Sequence, residues 1–528
     1  MLTLSKKDIF ELLQKRFEKD HCFSLCDLPL PSCFKDIFKA SNRIKKAIEQ
    51  NEKVAIVGDY DVDGVISCVI LSEFFDDIGF DYVVKIPNRF KDGYGLNTEI
   101  VQDLINNDIK LIITVDNGMA ATEAAKLCKE KNIDLIITDH HMPLEVLPEA
   151  FAIINPKQAD CNFPKVEICG AEVAWYLVAG IKSVCKLKYD MCKFIDLLAI
   201  AIVADMMELR DLNRALVKQG LKNLNLSKRP AFKAIKSHFQ KDKFEFDHIG
   251  FLIAPLLNSA GRMDDASLSY KFLHTKDLNE AQIYLKQIIN FNENRKEEEK
   301  NLFEECLEQI KEEDHAIIVS KKGWHEGVLG IVASRLARHF NKPAFVFSEF
   351  DDKAKGSARS VGKIDILALI ESQRELLMAF GGHKGAAGLT IEQKNLELFK
   401  KNIDTICKEF KEEDFLNTEE ILGELDPKDV DFELLELLEN FEPYGHKNPR
   451  PFFKLNKIII KNIKTIGKDE KHFKLILTHQ NLHLEALYFN CDKQLDVGSE
   501  VSCIASVSKN SFRGLITPQL IIKELCSI

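Results

Sequence analysis

Three carboxylates, Asp59, Asp61 and Asp63, fall within the short stretch GDYDVDGV (58–65), directly after the apolar run VAIVG. Alternating aspartates followed by glycine are the pattern of a calcium-binding loop, which takes oxygens from every second position. The pattern fails at its end. Counted from Asp59, the twelfth residue is Ile70, where such a loop needs a bidentate Glu, and the preceding segment reads as a strand rather than a helix. Taken alone, the stretch is then a solvated acidic turn.

The ends of other apolar runs change that weighing. LIITVDNG delivers Asp116, DLIITDHH delivers Asp139, His140 and His141, and AIAIVADMM delivers Asp205, each directly after apolar residues. Carboxylate and imidazole therefore gather at one rim. Crowding so many anions without a cation is unfavourable by several kcal/mol each, so a bound metal is the economical reading. Aspartate and histidine ligands without thiolate suit manganese or magnesium, and the paired histidines favour manganese. With five or more candidate ligands, one able to bridge, the pattern points to two divalent ions that activate water for attack on phosphorus.

The elements that must position these groups alternate short β-branched runs with amphipathic stretches from about residue 40 to 210. VAIVG (54–58), DYVVKIP (81–87), LIITVD (111–116), DLIITD (134–139), FAIINP (151–156) and LLAIAIVAD (197–205) read as strands of a parallel α/β sheet. Ligands of such sheets collect outside the carboxyl ends of the strands. Residues 278–313 contain neither Gly nor Pro and read as one long helix joining two lobes. A second α/β unit follows, with strands at AIIVS (316–320) and PAFVF (343–347), a helix over VLGIVASRLARHF and a glycine-rich turn GGHKGAAG (381–388). Residues 411–445 read as an acidic connector. Five β-like runs near 452–461, 472–478, 482–489, 500–507 and 515–523 suit a small barrel of the OB type. The expected division is an N-terminal helical segment (1–40), a catalytic domain (41–277), the connecting helix (278–313), a second domain (314–410), the connector and a barrel (446–528).

Composition bounds the function classes. A chain of 528 residues has material for several domains, and its 45% apolar and 29% charged content is that of a globular protein. No segment approaches the roughly 18 uninterrupted apolar residues of a membrane span, and MLTLSKKDIF lacks a signal-peptide pattern. Fourteen cysteines without a C-x-x-C pair read as reduced thiols, which places the chain in the cytoplasm. The net charge is −10, yet residues 443–528 carry 13 Lys+Arg against 7 Asp+Glu, so the barrel region is locally basic.

DYDVDG, VDNG, TDHH and VADMM, in that order, resemble the motifs of the DHH phosphoesterase superfamily, whose members use two manganese or magnesium ions to hydrolyse phosphoester bonds. The resemblance implies that Asp61, Asp63, Asp116, His140 and Asp205 are metal ligands, with Asp116 as the bridge. It makes Asp59 a further ligand and gives His141 the scissile phosphate. KGWHEGVLGIVASRLARHF, GSARS and GGHKGAAG resemble the associated domain of the RecJ group within that superfamily, and NSAGRMDDA resembles the group's arginine motif. The resemblance spans residues 45–400 and carries an OB domain after it. It implies a 5′-to-3′ exonuclease that releases mononucleotides from single-stranded DNA in repair and recombination. It also implies a monomer, with single-stranded-DNA-binding protein and a helicase as partners and no membrane.

The residues themselves support anion binding to different degrees. Ser357 and Arg359 alternate on one side of an extended segment and could form a compact anion pocket, because guanidinium binds phosphate oxygens bidentately. His383 and Lys384 sit among glycines that allow close backbone approach, or simply make a tight turn. Arg262 could pair with Asp264 or Asp265; the resemblance gives it, with Asn258, a substrate contact instead. By the same analogy Arg89 captures the 5′ phosphate and Tyr94 stacks on the terminal base. Two rivals stand beside this reading. A DHH phosphodiesterase for short oligonucleotides or cyclic dinucleotides would not need the C-terminal barrel, and a non-catalytic scaffold of a replication complex would not keep every ligand position filled.

Overall fold

The computed structural model describes residues 3–416, 421–467, 472–491, 495–512 and 515–527. The chain forms two compact units. The larger comprises Leu30–Asp205 and Asn223–Thr418; the other comprises Met1–Pro29, Met206–Lys222 and Glu419–Ile528.

The larger unit opens with five parallel strands, β1 (Val54–Val57), β2 (Tyr82–Lys85), β3 (Leu111–Val115), β4 (Asp134–Thr138) and β5 (Ala152–Ile154). Their order is β2-β1-β3-β4-β5. The chain steps from β1 outward to β2 and then returns to β3 on the other side of β1. That reversal leaves a crevice at the carboxyl ends of β1 and β3, the place where open α/β sheets bind ligands. Continuous apolar runs make β1, β3, β4 and β5 because both faces are covered, whereas β2 at the edge is only half-buried. Helices Thr98–Asn106 and Thr122–Glu130 bury Ile100, Val101, Leu104 and Ala125 against one face. Helices Val62–Ile78 and Gly170–Val184 pack against the other.

LLAIAIVAD departs from expectation. It forms the helix Ile195–Ala204 with Asp205 as its C-cap, rather than a sixth strand. The run is apolar on every side, so neither period shows, and a wholly buried helix looks the same as a buried strand. Its length and its three alanines are the features that favour helix.

The connecting helix runs from Leu278 to Leu307, 30 residues or about 45 Å. Its first half packs on the first lobe, where Ser259 Oγ donates to the Ile288 carbonyl at 3.1 Å. Its second half enters the core of the second lobe through Leu302, Phe303 and Cys306. That lobe is a mixed sheet of β6 (Ile317–Lys322), β7 (Ala344–Phe350), β8 (Lys353–Arg359), β9 (Leu377–His383) and β10 (Ala386–Glu392), ordered β6-β7-β8-β10-β9. The glycine-rich turn GGHKGAAG is therefore a β-hairpin in which only Lys384 and Gly385 turn.

The smaller unit contains the expected barrel. Strands β12 (Phe452–Ile466), β13 (His472–His479), β14 (Leu482–Tyr488), β15 (Glu500–Phe512) and β16 (Leu515–Ser527) close through the pairing of β12 with β15. Phe453 and Tyr488 are core residues, Phe452 and Phe473 are half-buried and Phe489 is exposed; the side chain of Phe512 lies outside the described residues. The acidic connector is more ordered than its charge suggests. It supplies strand β11 (Ile421–Glu424), which pairs in parallel with β12, and helix Phe432–Glu439; residues 417–420 lie outside the described residues. The N-terminal helix Lys6–Lys15 buries Ile9 and Leu13 in the barrel unit's core beside Leu434 and Leu438. No helix among the described residues is long and apolar enough to cross a membrane, and no cysteine among them is paired.

A buried ion network fixes the rear of the first lobe. Arg229 donates to Glu73 Oε1 at 2.5 Å, to Asp196 Oδ2 at 3.2 Å and to the Lys193 carbonyl at 3.2 Å. Burial by itself would raise the Glu73 carboxyl, but Arg229 and Lys276 hold it down at about 2. Its depressed value makes this a stabilising term at neutral pH that is lost as pH falls below the ordinary carboxylate range. Arg229→Met takes the shared guanidinium from two buried carboxylates, leaving Glu73 to Lys276 and Asp196 to the Ser227 hydroxyl, and should lower stability by about 3–5 kcal/mol in urea denaturation. A loss under about 1 kcal/mol would mean that water screens the network.

Candidate metal centre

The first aspartates are held by the helix that follows them. Asp61 is the N-cap of Val62–Ile78, and its Oδ1 accepts from the Asp63 and Gly64 amides at 2.9 and 3.1 Å. Asp63 lies in the first turn and its carboxylate accepts from Gly170 N at 2.5 Å and Ala171 N at 2.8 Å, at the start of a second helix. Two helix N-termini therefore aim positive backbone dipole at one cluster of aspartates. Gly64 is needed here, because a Cβ on it would stand 2.6 Å from the Asp59 amide nitrogen.

Asp116 follows β3 in the left-handed region, with φ +63°. A side chain rarely takes this backbone, and a compact polar residue takes it with least strain. Gly170 makes room for it, since a Cβ there would meet Asp116 Oδ1 at 2.4 Å. His140 Nε2 lies 3.2 Å from Asp116, 3.6 Å from Asp205 and 3.8 Å from Asp63. Burial, and then His141, push its imidazole down to about 3, so it is neutral at physiological pH and could donate a ring nitrogen to a metal. Burial and mutual repulsion raise Asp59, Asp116 and Asp205 well above the carboxylate range and Asp63 to about 6.

These atoms fit a divalent cation. Asp59 Oδ1, Asp116 Oδ1, Asp205 Oδ2 and both ring nitrogens of His140 are buried and make no hydrogen bond. Three sets of ligand atoms lie within 4.8 Å of one another: Asp59, Asp61 and Asp116; Asp63, His140 and Asp205; Asp116, His140 and His141. Asp116 and His140 each belong to two of them. The donors are oxygen and imidazole, which suit a hard or borderline metal.

Asp139 shares the rim but turns away from the cluster. Its Oδ1 accepts from His141 Nδ1 at 2.8 Å and from the His140 and His141 amides, and its Oδ2 accepts from Met119 N. Burial opposes its charge, but His141 holds the carboxyl below the usual range. Asp139 thus fixes the orientation of His141, whose ring also lies 3.3 Å from the Tyr94 hydroxyl. Tyr94 in turn donates to the Asp116 carbonyl at 3.2 Å.

The expected substrate residues fall into two groups. Arg89 lies over the Tyr60 ring, 4.4 Å from its centroid. Arg262 donates to the Gly327 carbonyl at 3.1 Å, and Arg359 donates to Ser357 Oγ at 3.1 Å. Burial and then Arg89, Arg295 and Arg359 push the Arg262 guanidinium down to about 10. Cations from both lobes thus gather near Arg262, and Asp61 of the metal cluster offsets their repulsion only in part. Burial and Arg359 likewise lower His383. Asn258 is different: its Oδ1 accepts from Val62 N at 3.1 Å, so it supports the aspartate-bearing helix.

Sequence reasoning missed several supports. Asn117 is fully buried and donates to the Val57 and Val115 carbonyls while accepting from Leu96 N, which ties β1 to β3 beside the metal cluster. Its only signal was its place after Asp116 in VDNG. Gly170 and Ala171, which hold Asp63, lie more than a hundred residues from it in sequence and had none.

The fold agrees with the family matches. Residues 53–202 match the DHH family, N-terminal domain, residues 314–409 the DHHA1 domain, and residues 421–524 the RecJ OB domain. The chain is 33% identical to the single-stranded-DNA-specific exonuclease RecJ of Bacillus subtilis over 94% of its own length and 64% of that protein's. It is 31% identical to the exonuclease of the same name from Escherichia coli, covering 93% of this chain and 90% of the relative. The crystal structure of RecJ in complex with Mn2+ from Thermus thermophilus superposes with a TM-score of 0.86 at 25% identity, over 99% of this chain and 76% of that one. The protein is thus of the DHH class, with a DHHA1 companion domain. Within that class, the chain belongs to the RecJ family.

Raised carboxyl values give the metal-free protein more bound protons folded than unfolded, so its stability falls as pH rises through about 6. A divalent ion reverses this by neutralising the cluster. Manganese should therefore raise the melting temperature more at pH 8 than at pH 5. An equal or larger rise at pH 5 would exclude these carboxylates as its ligands.

Proposed function

We propose that the protein is a single-strand-specific DNA exonuclease that removes mononucleotides from a 5′ end by two-metal hydrolysis, in DNA repair and recombination. The carrying observation is that the unsatisfied carboxylate and imidazole cluster stands beside arginines drawn from both lobes. Membership of the RecJ family supports the same substrate, because its relatives bear the description single-stranded-DNA-specific exonuclease.

Asp61, Asp63, Asp116, His140 and Asp205 would hold the metals, with Asp59 as a further ligand and Asp116 bridging; Asp116 shares ligand sets on both sides of the cluster. Manganese suits the two histidines better than magnesium does. When bound, such ions lower the pKa of water and neutralise charge on the phosphoryl oxygens. The chain's own groups do the positioning. His141, locked by Asp139, donates toward the scissile phosphate, and Arg262 stabilises charge developing there. Arg89, Ser357 and Arg359 hold the 5′ phosphate and set the register, and Tyr94 faces the first base. His383 adds a donor from the second lobe. The basic barrel grips the strand through phosphates and exposed aromatics such as Phe489. Single-stranded-DNA-binding protein and a helicase are the partners this role calls for, with the enzyme acting as a cytoplasmic monomer.

Asp116→Asn should lower hydrolysis at least about a thousandfold in manganese while keeping a cooperative melting transition; retained activity would remove the bridge. A single-stranded oligonucleotide labelled at either end tests polarity. Mononucleotide should be released first from the 5′ end, and release from the 3′ end or equal attack on duplex would overturn the reading.

A Ser357→Ala, Arg359→Ala variant should weaken the preference for a 5′-phosphorylated over a 5′-hydroxyl strand. An unchanged preference would place the 5′ phosphate elsewhere.

A further inference from the structure

Asn88 has no part in the site so far. It stands in the loop after β2 that carries Arg89, Phe90 and Tyr94, and all of its polar groups are engaged. Its backbone amide donates to Asp92 Oδ2 at 2.7 Å, and its carbonyl accepts from the Asp92 and Gly93 amides at 2.8 and 3.2 Å. Its side-chain Oδ1 accepts from the Phe90 and Lys91 amides at 3.0 and 3.2 Å. These bonds close the loop on itself. The remaining group, Nδ2, leaves the loop and donates at 2.9 Å to the carbonyl of Asp264, 176 residues away.

The plain reading is an Asx turn, in which an asparagine oxygen accepts from the backbone two residues on. Such a turn needs only the oxygen. It does not explain the other end of the amide, which reaches the residue that caps the helix Ala254–Met263, whose last turn carries Arg262. One planar amide therefore holds the Arg89 loop on one side and the arginine motif on the other. Arg89 itself rests on the Tyr60 ring, 4.4 Å from its centroid, a contact without the directionality of a hydrogen bond. Its placement relative to Arg262 then depends on the backbone that Asn88 fixes. The same loop meets the second lobe, where the Phe90 ring stands edge-on to His325 at 5.3 Å.

We propose that Asn88 is a positioning residue for the 5′ end of the strand: by tying the Arg89 loop to the end of the Arg262 helix it sets the spacing between the two guanidinium groups, one for the terminal phosphate and one for the scissile phosphate. This rests on the single-strand reading above. Asparagine suits the task because its amide fixes an acceptor and a donor in one plane. Serine would close the turn, since its hydroxyl accepts from the same amides, but it is too short to reach the Asp264 carbonyl.

The test is binding of a 3′-fluorescein-labelled single-stranded oligonucleotide with either a 5′ phosphate or a 5′ hydroxyl, read by fluorescence anisotropy in EDTA. The unaltered protein should prefer the phosphorylated strand, and Arg89→Ala should lower that preference. Asn88→Ser should lower it by about threefold to tenfold, the contribution of one hydrogen bond, and leave affinity for the hydroxyl strand unchanged. Combined with Arg89→Ala it should lower the preference no further, because it acts through Arg89. A full preference in Asn88→Ser, beside a lowered one in Arg89→Ala, would mean that the turn alone suffices and would overturn the proposal. Equal weakening for both strands, additive loss in the double variant, or loss of the cooperative melting transition in Asn88→Ser would overturn it too, since each marks a general structural role. No preference in the unaltered protein, or one that Arg89→Ala leaves intact, would instead remove Arg89 from the 5′-phosphate reading, and this inference with it.

Discussion

Repulsion among buried carboxylates governs the first lobe. Asp59, Asp63 and Asp116 are nearly inaccessible and crowd against Asp61 and Asp205, while the nearest imidazole is held neutral. Charges so placed are unfavourable by several kcal/mol each unless something compensates them. The chain offers partial compensation from backbone. Amides at the start of two helices point at Asp61 and Asp63, and Asp139 is saturated by four donors. The groups left without partners are the ones a divalent cation would complete, so the same repulsion that strains the metal-free fold creates affinity for the ion.

That arrangement demands close approach. Asp116 reaches the cluster through a left-handed backbone, and Gly170 must lack a side chain for the aspartate to fit. Gly261 and Gly327 play a comparable part between elements: a Cβ on the first would stand 2.2 Å from the Tyr60 carbonyl, and on the second 1.9 Å from the Arg262 carbonyl. The arginine motif is thereby pressed against the DYDVDG turn on one side and against the second lobe on the other. Phe90 and His325 add a ring contact at 5.3 Å between the Arg89 loop and the second lobe. The metal cluster and the cationic cleft are thus parts of one packed structure, carried by a helix whose two halves belong to different cores. Distance between a bound metal and a bound phosphate would then be set by packing rather than by loop motion.

Sequence alone determined the strand ends and their chemistry. DYDVDG, VDNG and TDHH each follow a continuous apolar run, and a parallel strand buried on both faces must deliver its next residue to the rim. The barrel's five strands were legible for a similar local reason, and so was the long helix, which lacks Gly and Pro. LLAIAIVAD was not, because an element buried all round shows no period. Nor was the role of the acidic connector, whose strand is defined only by its neighbour β12.

Tertiary structure decided which polar groups meet. Nothing local distinguishes Asp139, which orients His141, from Asp116, which faces the cluster; both end a strand with an aspartate. Their roles part because Asp139 finds Met119 N and three further donors, whereas Asp116 is turned by its positive φ toward His140. Asn258, expected to contact substrate, also accepts from the Val62 amide and so supports the aspartate-bearing helix. Asn88 has no local signal beyond its place before Arg89, yet its side-chain amide reaches the Asp264 carbonyl, 176 residues away. Residue type and spacing specify the inventory of a site, since they act along the chain. Orientation, burial and mutual charge arise between segments far apart in sequence, and only packing brings those together.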